Sequence, residues 1–180
     1  MEIMNHVMID IETLATSNDA ALVSIAAVRF DLETGIVGDS VYFKIDKQSC
    51  IDYGLRVDAD TVDWWMKQDK EAQEQFLTTE DRVELHQALQ DFFVFFEFET
   101  DFVWANGINF DCEILRNAYK AIDFPLPWNH FNERDVRTLV HFAPDIKKSE
   151  PFVGTKHHPI SDCMHQIKYC CKIYKKLKFD

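Results

Sequence analysis

The run VMIDIET, residues 7 to 13, constrains the fold most. Val7, Ile9 and Ile11 are β-branched, which predicts a strand. Side chains two apart on a strand project from the same face, so Asp10 and Glu12 stand side by side. Two adjacent carboxylates on a half-buried face repel each other and lose hydration. An exposed strand end would accommodate them. A buried one requires something that offsets the repulsion.

The remaining pattern predicts a mixed α/β chain. AALVSIAAVRFDL and IVGDSVYFKI read as two further strands, and DLETG reads as the turn between them, giving an antiparallel start. DADTVDWWMKQDKEAQEQFL predicts two short helical pieces. TTEDRVELHQALQDFFVFFEFE predicts one long helix capped by Thr79, with Val83, Leu85, Leu89, Phe92, Phe93 and Phe96 as its apolar face. DFVWAN is a short buried strand, followed by a helix over NFDCEILRNAYKAI and another over ERDVRTLVHFA. KKSEPFVGTKHHP reads as a polar loop, and the last helix begins near Pro159. No repeat or linker divides the chain, so residues 1 to 180 are expected to form a single domain. Strands first and helices around further β imply a mixed sheet.

Composition limits the function classes. Hydrophobic residues make up 47% of the 180, enough for a substantial core. The net charge of -12 argues against broad electrostatic binding of nucleic acid or anionic membrane. It leaves room for a nucleic-acid enzyme whose acids are masked locally by metal. The lysines of CKIYKKLKFD read as a solvated helix end. No apolar run reaches the ~18 residues of a membrane span, and no leader pattern opens the chain. Five cysteines, without zinc-site spacing, fit a reduced, cytoplasmic protein.

Two more acids complete a pattern. Asp111 is expected in the first turn of the helix after DFVWAN, and Asp162 in the first turn of the last helix. Helix starts stabilise negative charge, so capping alone would account for either one. Taken with Asp10 and Glu12, four carboxylates can converge on one point. Oxygen-only clusters bind Mg²⁺ or Mn²⁺ rather than zinc. Such cations would offset the repulsion within VMIDIET.

DIET at residues 10 to 13, NGINFDCEIL at 106 to 115 and HHPISD at 157 to 162 resemble the three motifs of the DEDDh, or DnaQ-like, 3′–5′ exonucleases. The resemblance runs from residue 7 to about 175. TVDWWMKQDKEAQ and ERDVRTLV are further similar to a small branch of exoribonuclease-like and phage exonuclease proteins. The resemblance implies a ribonuclease-H-like fold, a central mixed five-stranded sheet with helices on both sides. It implies a two-metal enzyme using Mg²⁺, with Mn²⁺ as an alternative, that releases 5′-mononucleotides from a free 3′ end of single-stranded nucleic acid. RNA is slightly preferred over DNA by the branch resemblance. Asp10 would bridge two divalent ions. Glu12 and Asp162 would complete the site of one, and Asp111 would hold the other. His157, five residues before Asp162, would be the general base, with the adjacent His158 shaping the loop. Glu12 and the backbone of Thr13 and Leu14 would meet the terminal nucleotide.

The chemistry fits these residue types independently. Phosphodiester hydrolysis needs an activated water and stabilised charge on the attacking and leaving oxygens, which paired cations supply. A histidine near neutral pKa can take the proton. Other residues are less determined. Phe110 is a candidate for the terminal-base pocket, with a core role as the simpler reading. Trp64 and Trp65 cannot share one helix face, and packing is favoured for both over base stacking or a dimer contact. Arg137 has two candidate partners, Asp135 or a phosphate. Two rival functions stand beside the enzyme: a non-catalytic nucleic-acid or protein binding module of the same fold, and a phosphohydrolase of small nucleotides. No membrane role is expected. A homodimer is compatible with the sequence.

Overall fold

In the structure, a computed structural model, residues 4 to 179 are described. Six strands form one sheet: β1 (His6–Thr13), β2 (Leu22–Phe30), β3 (Val37–Ile45), β4 (Arg82–Val83), β5 (Phe102–Ala105) and β6 (Glu133–Asp135). Their order is β4-β3-β2-β1-β5-β6. β2 runs antiparallel to both β1 and β3, while the β3–β4, β1–β5 and β5–β6 pairs are parallel. The carboxyl ends of β1, β5 and β6 therefore share one rim of the sheet. In open α/β sheets this rim is where ligands bind.

Helices cover both faces. Odd-numbered β1 residues Val7, Ile9 and Ile11 pack into one core with Leu85, Leu89 and Phe92 of α4 (Leu85–Val94) and Ile114, Leu115 and Tyr119 of α5 (Asp111–Ala121). Met8, from the other face of β1, packs with Val28, Phe30 and the Cys163, Ile167 and Cys170 stripe of α8 (Pro159–Phe179). Val136 of α6 (Val136–His141) joins this second core. β2 lies between β1 and β3 under both layers, which is why LVSIAAVRF is apolar almost throughout. Among the described residues no helix is long and apolar enough to cross a membrane.

The mixed sheet with helices on both sides agrees with the sequence reading. The strand count does not: the sheet has six strands, because Arg82 and Val83 add a parallel edge beside β3. The long helix expected from Thr79 is interrupted for the same reason. Asp81 takes a φ of 58°, and the Arg82 guanidinium donates to the carbonyls of Gln75, Phe76, Thr78 and Ile45, so this stretch is a pinned turn. The helix starts at Leu85, and Glu84 caps it by accepting from Gln87 N. Two short helices, α2 (Ala59–Trp65) and α3 (Lys70–Leu77), form where two pieces were expected. α1 (Lys47–Asp52) was missed, and α7 (Pro144–Ser149) occupies the start of the expected loop. ERD forms β6 ahead of α6, with Asp135 as the α6 cap.

Candidate active site

The end of β1 is built to carry acids. Asp10 pairs across the sheet with Ala26, and Glu12 with Ser24, so small neighbours leave room above both carboxylates. A register shift follows Glu12. Such irregularities re-aim side chains at strand ends. Asp162 arrives from α8, which packs on the face of β1 that Asp10 and Glu12 share with Met8, and lies in its first turn, where Pro159 opens the helix. One oxygen each from Asp10, Glu12 and Asp162 lies within 4.8 Å of the others. Asp111, the first residue of α5, is buried beside this group without joining its tightest set.

These acids are electrostatically strained. Burial pushes Asp10 well above the usual carboxylate range, and the charges of Asp111, Glu12 and Asp162 push it further. Glu12 is raised well above its usual value by burial and by Asp162 and Asp111. Burial raises Asp111 to about 7 against the pull of the Asp111 and Ile11 backbone N–H groups and Arg137. Asp162 is pushed up to about 6 by burial, opposed by the backbone N–H of His157. Asp162 Oδ2 is buried with no hydrogen-bond partner. A buried acceptor of this kind is costly unless satisfied. Clustered hard oxygen donors that the protein leaves unsatisfied fit a divalent cation.

Gln166 was missed by sequence reasoning. Its Nε2 donates to Asp10 Oδ1 at 3.0 Å. The available signal was its position four residues after Asp162, one turn along the same helix face.

His157 and His158 diverge sharply. His157 sits at φ 59°, a left-handed conformation that turns the chain before α8. Its Nδ1 is 3.8 Å from Glu12 Oε1. Its ring meets the rings of Trp64 and Trp65 edge-on, with centroids 5.0 and 6.1 Å away. Burial lowers its pKa, opposed by Asp69. His158 turns away to stack on Tyr42 at 4.8 Å, with its Nδ1 buried.

A cleft of about 440 Å³ opens beside the acids. Glu12, Thr13, Trp64, Trp65 and Phe110 are among its walls. Trp65 is only 1% exposed, stacks on Phe76, and donates from Nε1 to Thr13 O at 2.9 Å. That bond ties α2 to the end of β1. Trp64 is 42% exposed and presents its ring to the cleft, so packing describes Trp65 but not Trp64. Leu14 is buried, its N–H donating to Ala21 O and its carbonyl accepting from Asp58 N. Both backbone groups of Leu14 are thus engaged within the fold. Arg137 is exposed near Asp111, and Asp135 spends both oxygens elsewhere, accepting from Thr138 and from Ile108 N.

Known proteins share this arrangement's frame. The family model described as the 3′–5′ exoribonuclease Rv2179c-like domain matches residues 5–174. An exodeoxyribonuclease of Enterobacteria phage T4 is 25% identical, the match covering 89% of this chain and 85% of that protein. Exonuclease I from Methylocaldum szegediense superposes with a TM-score of 0.69 at 14% identity, over 97% of this chain and 41% of that one. E. coli Exonuclease I in complex with a dT13 oligonucleotide gives 0.61 at 16% identity, over 97% and 41%. The chain thus spans about two fifths of the Exonuclease I chains, and shares with them the ribonuclease-H-like fold. The motifs, the fold and the matched model agree: the chain belongs to the Rv2179c-like 3′–5′ exoribonuclease family, a group of DEDDh-type 3′–5′ exonucleases.

Proposed function

We propose that this domain removes nucleotides one at a time from a free 3′ end of single-stranded nucleic acid, RNA in preference to DNA, releasing 5′-mononucleotides. One observation carries the reading: three carboxylates and His157 meet at the edge of a cleft walled by aromatic rings. Asp10, Glu12 and Asp162 would hold one divalent cation, and Asp10 with Asp111 a second, Mg²⁺ or Mn²⁺. When bound, such a pair activates a water and stabilises charge on the attacking and leaving oxygens of a phosphodiester.

The chain's own residues do the rest. His157 is the general base. Its lowered pKa keeps the imidazole neutral and able to accept the water's proton near pH 7. The charge of Asp69, which favours the protonated ring, stabilises the imidazolium that results. Gln166 orients Asp10 through its hydrogen bond. Trp64 and Phe110 present aromatic surface to the terminal base, while Glu12 and Thr13 receive the terminal 3′-hydroxyl. Both backbone groups of Leu14 and the Thr13 carbonyl already have partners within the fold, so the Glu12 carboxylate is the principal contact. All five cysteines are free and buried, which supports a reducing, cytoplasmic setting.

RNA is favoured because the matched family model is described as an exoribonuclease, while the phage relative is an exodeoxyribonuclease. Side-by-side digestion of 5′-labelled single-stranded RNA and DNA with Mg²⁺ or Mn²⁺ tests both points. The expected product is a ladder shortening from the 3′ end, faster on RNA, abolished by EDTA and blocked by a 3′-phosphate. Cleavage of a closed circular strand, or indifference to EDTA, would overturn the reading. Hydrolysis of only small nucleotide esters would favour the phosphohydrolase, and binding without turnover the non-catalytic module.

A further inference from the structure

A second cleft, of about 430 Å³, lies further along the same rim of the sheet. It is lined by Gly107, Asn109 and Phe110 from the β5–α5 connection and by Asp135, Arg137 and Thr138 from the β6–α6 junction. Phe110 belongs to both clefts, so one continues into the other past its ring. β1, β5 and β6 are parallel, which places the acids of β1 and these two connections at successive strand ends. A single strand that left the first cleft along this rim would pass over Phe110 and reach Arg137.

Arg137 sits close enough to Asp135 and Asp111 to lower both, yet is not spent on a direct pair with either. It takes part in none of the ion pairs among the described residues. Its nearest acid in sequence, Asp135, already accepts from the Thr138 N–H and hydroxyl and from Ile108 N. Glu133, on the same strand, is paired with Arg116 at 2.6 Å. The guanidinium instead lies against Gly107, where an added Cβ would come within 3.3 Å of Arg137 Cζ. Gly107 does not have a positive φ, so close approach of the guanidinium is what the missing side chain permits here. In a chain of net charge -12, an unpaired arginine on the substrate rim is a specific feature.

We propose that Arg137 binds a backbone phosphate of the substrate upstream of the scissile bond, giving the enzyme a preference for strands over dinucleotides. The proposal rests on the exonuclease reading above. An arginine suits the task because its planar fork matches phosphate oxygens. The Asn109 amide, exposed in the same cleft, adds a neutral donor.

The test compares wild type, Arg137→Gln and Arg137→Lys on a dinucleoside monophosphate and on a tetranucleotide of the same base, both without terminal phosphates. The dinucleotide has only its scissile phosphate, so any loss there from Arg137→Gln reports the pull of Arg137 on Asp111 and is the baseline for the longer strand. On the tetranucleotide, Arg137→Gln should lose about tenfold more in kcat/KM than on the dinucleotide, as expected for a charged hydrogen bond. The loss should lie in KM. The slope of log KM against log salt should become shallower by about 0.7, one phosphate on a single strand, and Arg137→Lys should restore it. Equal losses on both substrates would place Arg137 at the scissile group, and no loss on either would remove it from binding; each overturns the proposal alone. A wild type that cleaves neither strand would overturn the exonuclease reading and this proposal with it.

Discussion

Gln166 Nε2 donates to Asp10 Oδ1 at 3.0 Å across the gap between α8 and β1. The bond fixes the orientation of the Asp10 carboxylate within the acid cluster. Partners of this kind, behind a metal-binding carboxylate, change metal affinity or activity by ~10–100-fold when removed. Gln166→Leu should therefore lower kcat/KM within that range and move the Mg²⁺ titration to higher concentration. A mutant with an unchanged metal titration would separate Gln166 from the site.

The raised acids predict an inverted pH response in metal-free protein. Asp162 and Asp111, at about 6 and about 7, bind protons more tightly folded than unfolded. Their contribution to stability is full below their unfolded values near 4 and is lost as pH rises through the folded ones. Asp162→Asn removes one such group. In EDTA it should melt above wild type at about pH 8, by on the order of 1–2 kcal/mol after solvent screening, and the gain should vanish near pH 4. Activity should be abolished at the same time. A mutant less stable than wild type at high pH would contradict the electrostatic account.

The two adjacent histidines should behave oppositely. His157→Ala should lose roughly 10²–10⁴-fold in kcat, the usual worth of a general base. His158→Ala loses a stack on Tyr42 and should have a much smaller effect on kcat. Because burial lowers the His157 pKa, the acid limb of the wild-type rate profile should fall below the ordinary histidine value. Metal-saturated rate profiles of the two mutants decide the assignment, and the reverse ranking would move the base to His158.

Trp64 and Trp65 separate binding from folding. Trp64→Ala should raise KM for oligonucleotides while leaving the melting temperature near wild type, with base stacking worth ~1–3 kcal/mol. Trp65→Ala removes a buried ring and its bond to Thr13, and should destabilise by ~3–5 kcal/mol. Melting curves beside steady-state kinetics distinguish the two.

Much of this site was legible in residue types and spacing. Asp10, Glu12, Asp111 and Asp162 occur on a strand end and in two helix first turns, as the periodicity indicates. Gln166 was hidden because a polar residue on an amphipathic helix reads as surface until its partner is known. Trp64 was misjudged because a pair of adjacent tryptophans cannot reveal which ring faces a cleft. The sixth strand escaped because two residues carry no alternation, and the Arg82 guanidinium that pins them acts on carbonyls far away in sequence. Arg137's freedom depends on where Asp135 points, which spacing alone leaves open.

The left-handed turn at His157 has a consequence for how such domains can vary. Gly154 stands at φ 114°, and a Cβ there would fall 2.5 Å from Ser161 Oγ, so the loop is seated directly on the first turn of α8. Upstream of Gly154 the chain is also held to α8, by Glu150 paired with Lys172 and by Phe152 packed on the His165 ring. Between Pro159 and Asp162 the constraint is stricter still. One inserted residue in a helix turns everything beyond it by about 100°. It would swing Asp162 away from β1 or force Gln166 and the Cys163–Ile167 stripe out of the core. Length variation in this family should therefore be least between the histidine pair and Asp162.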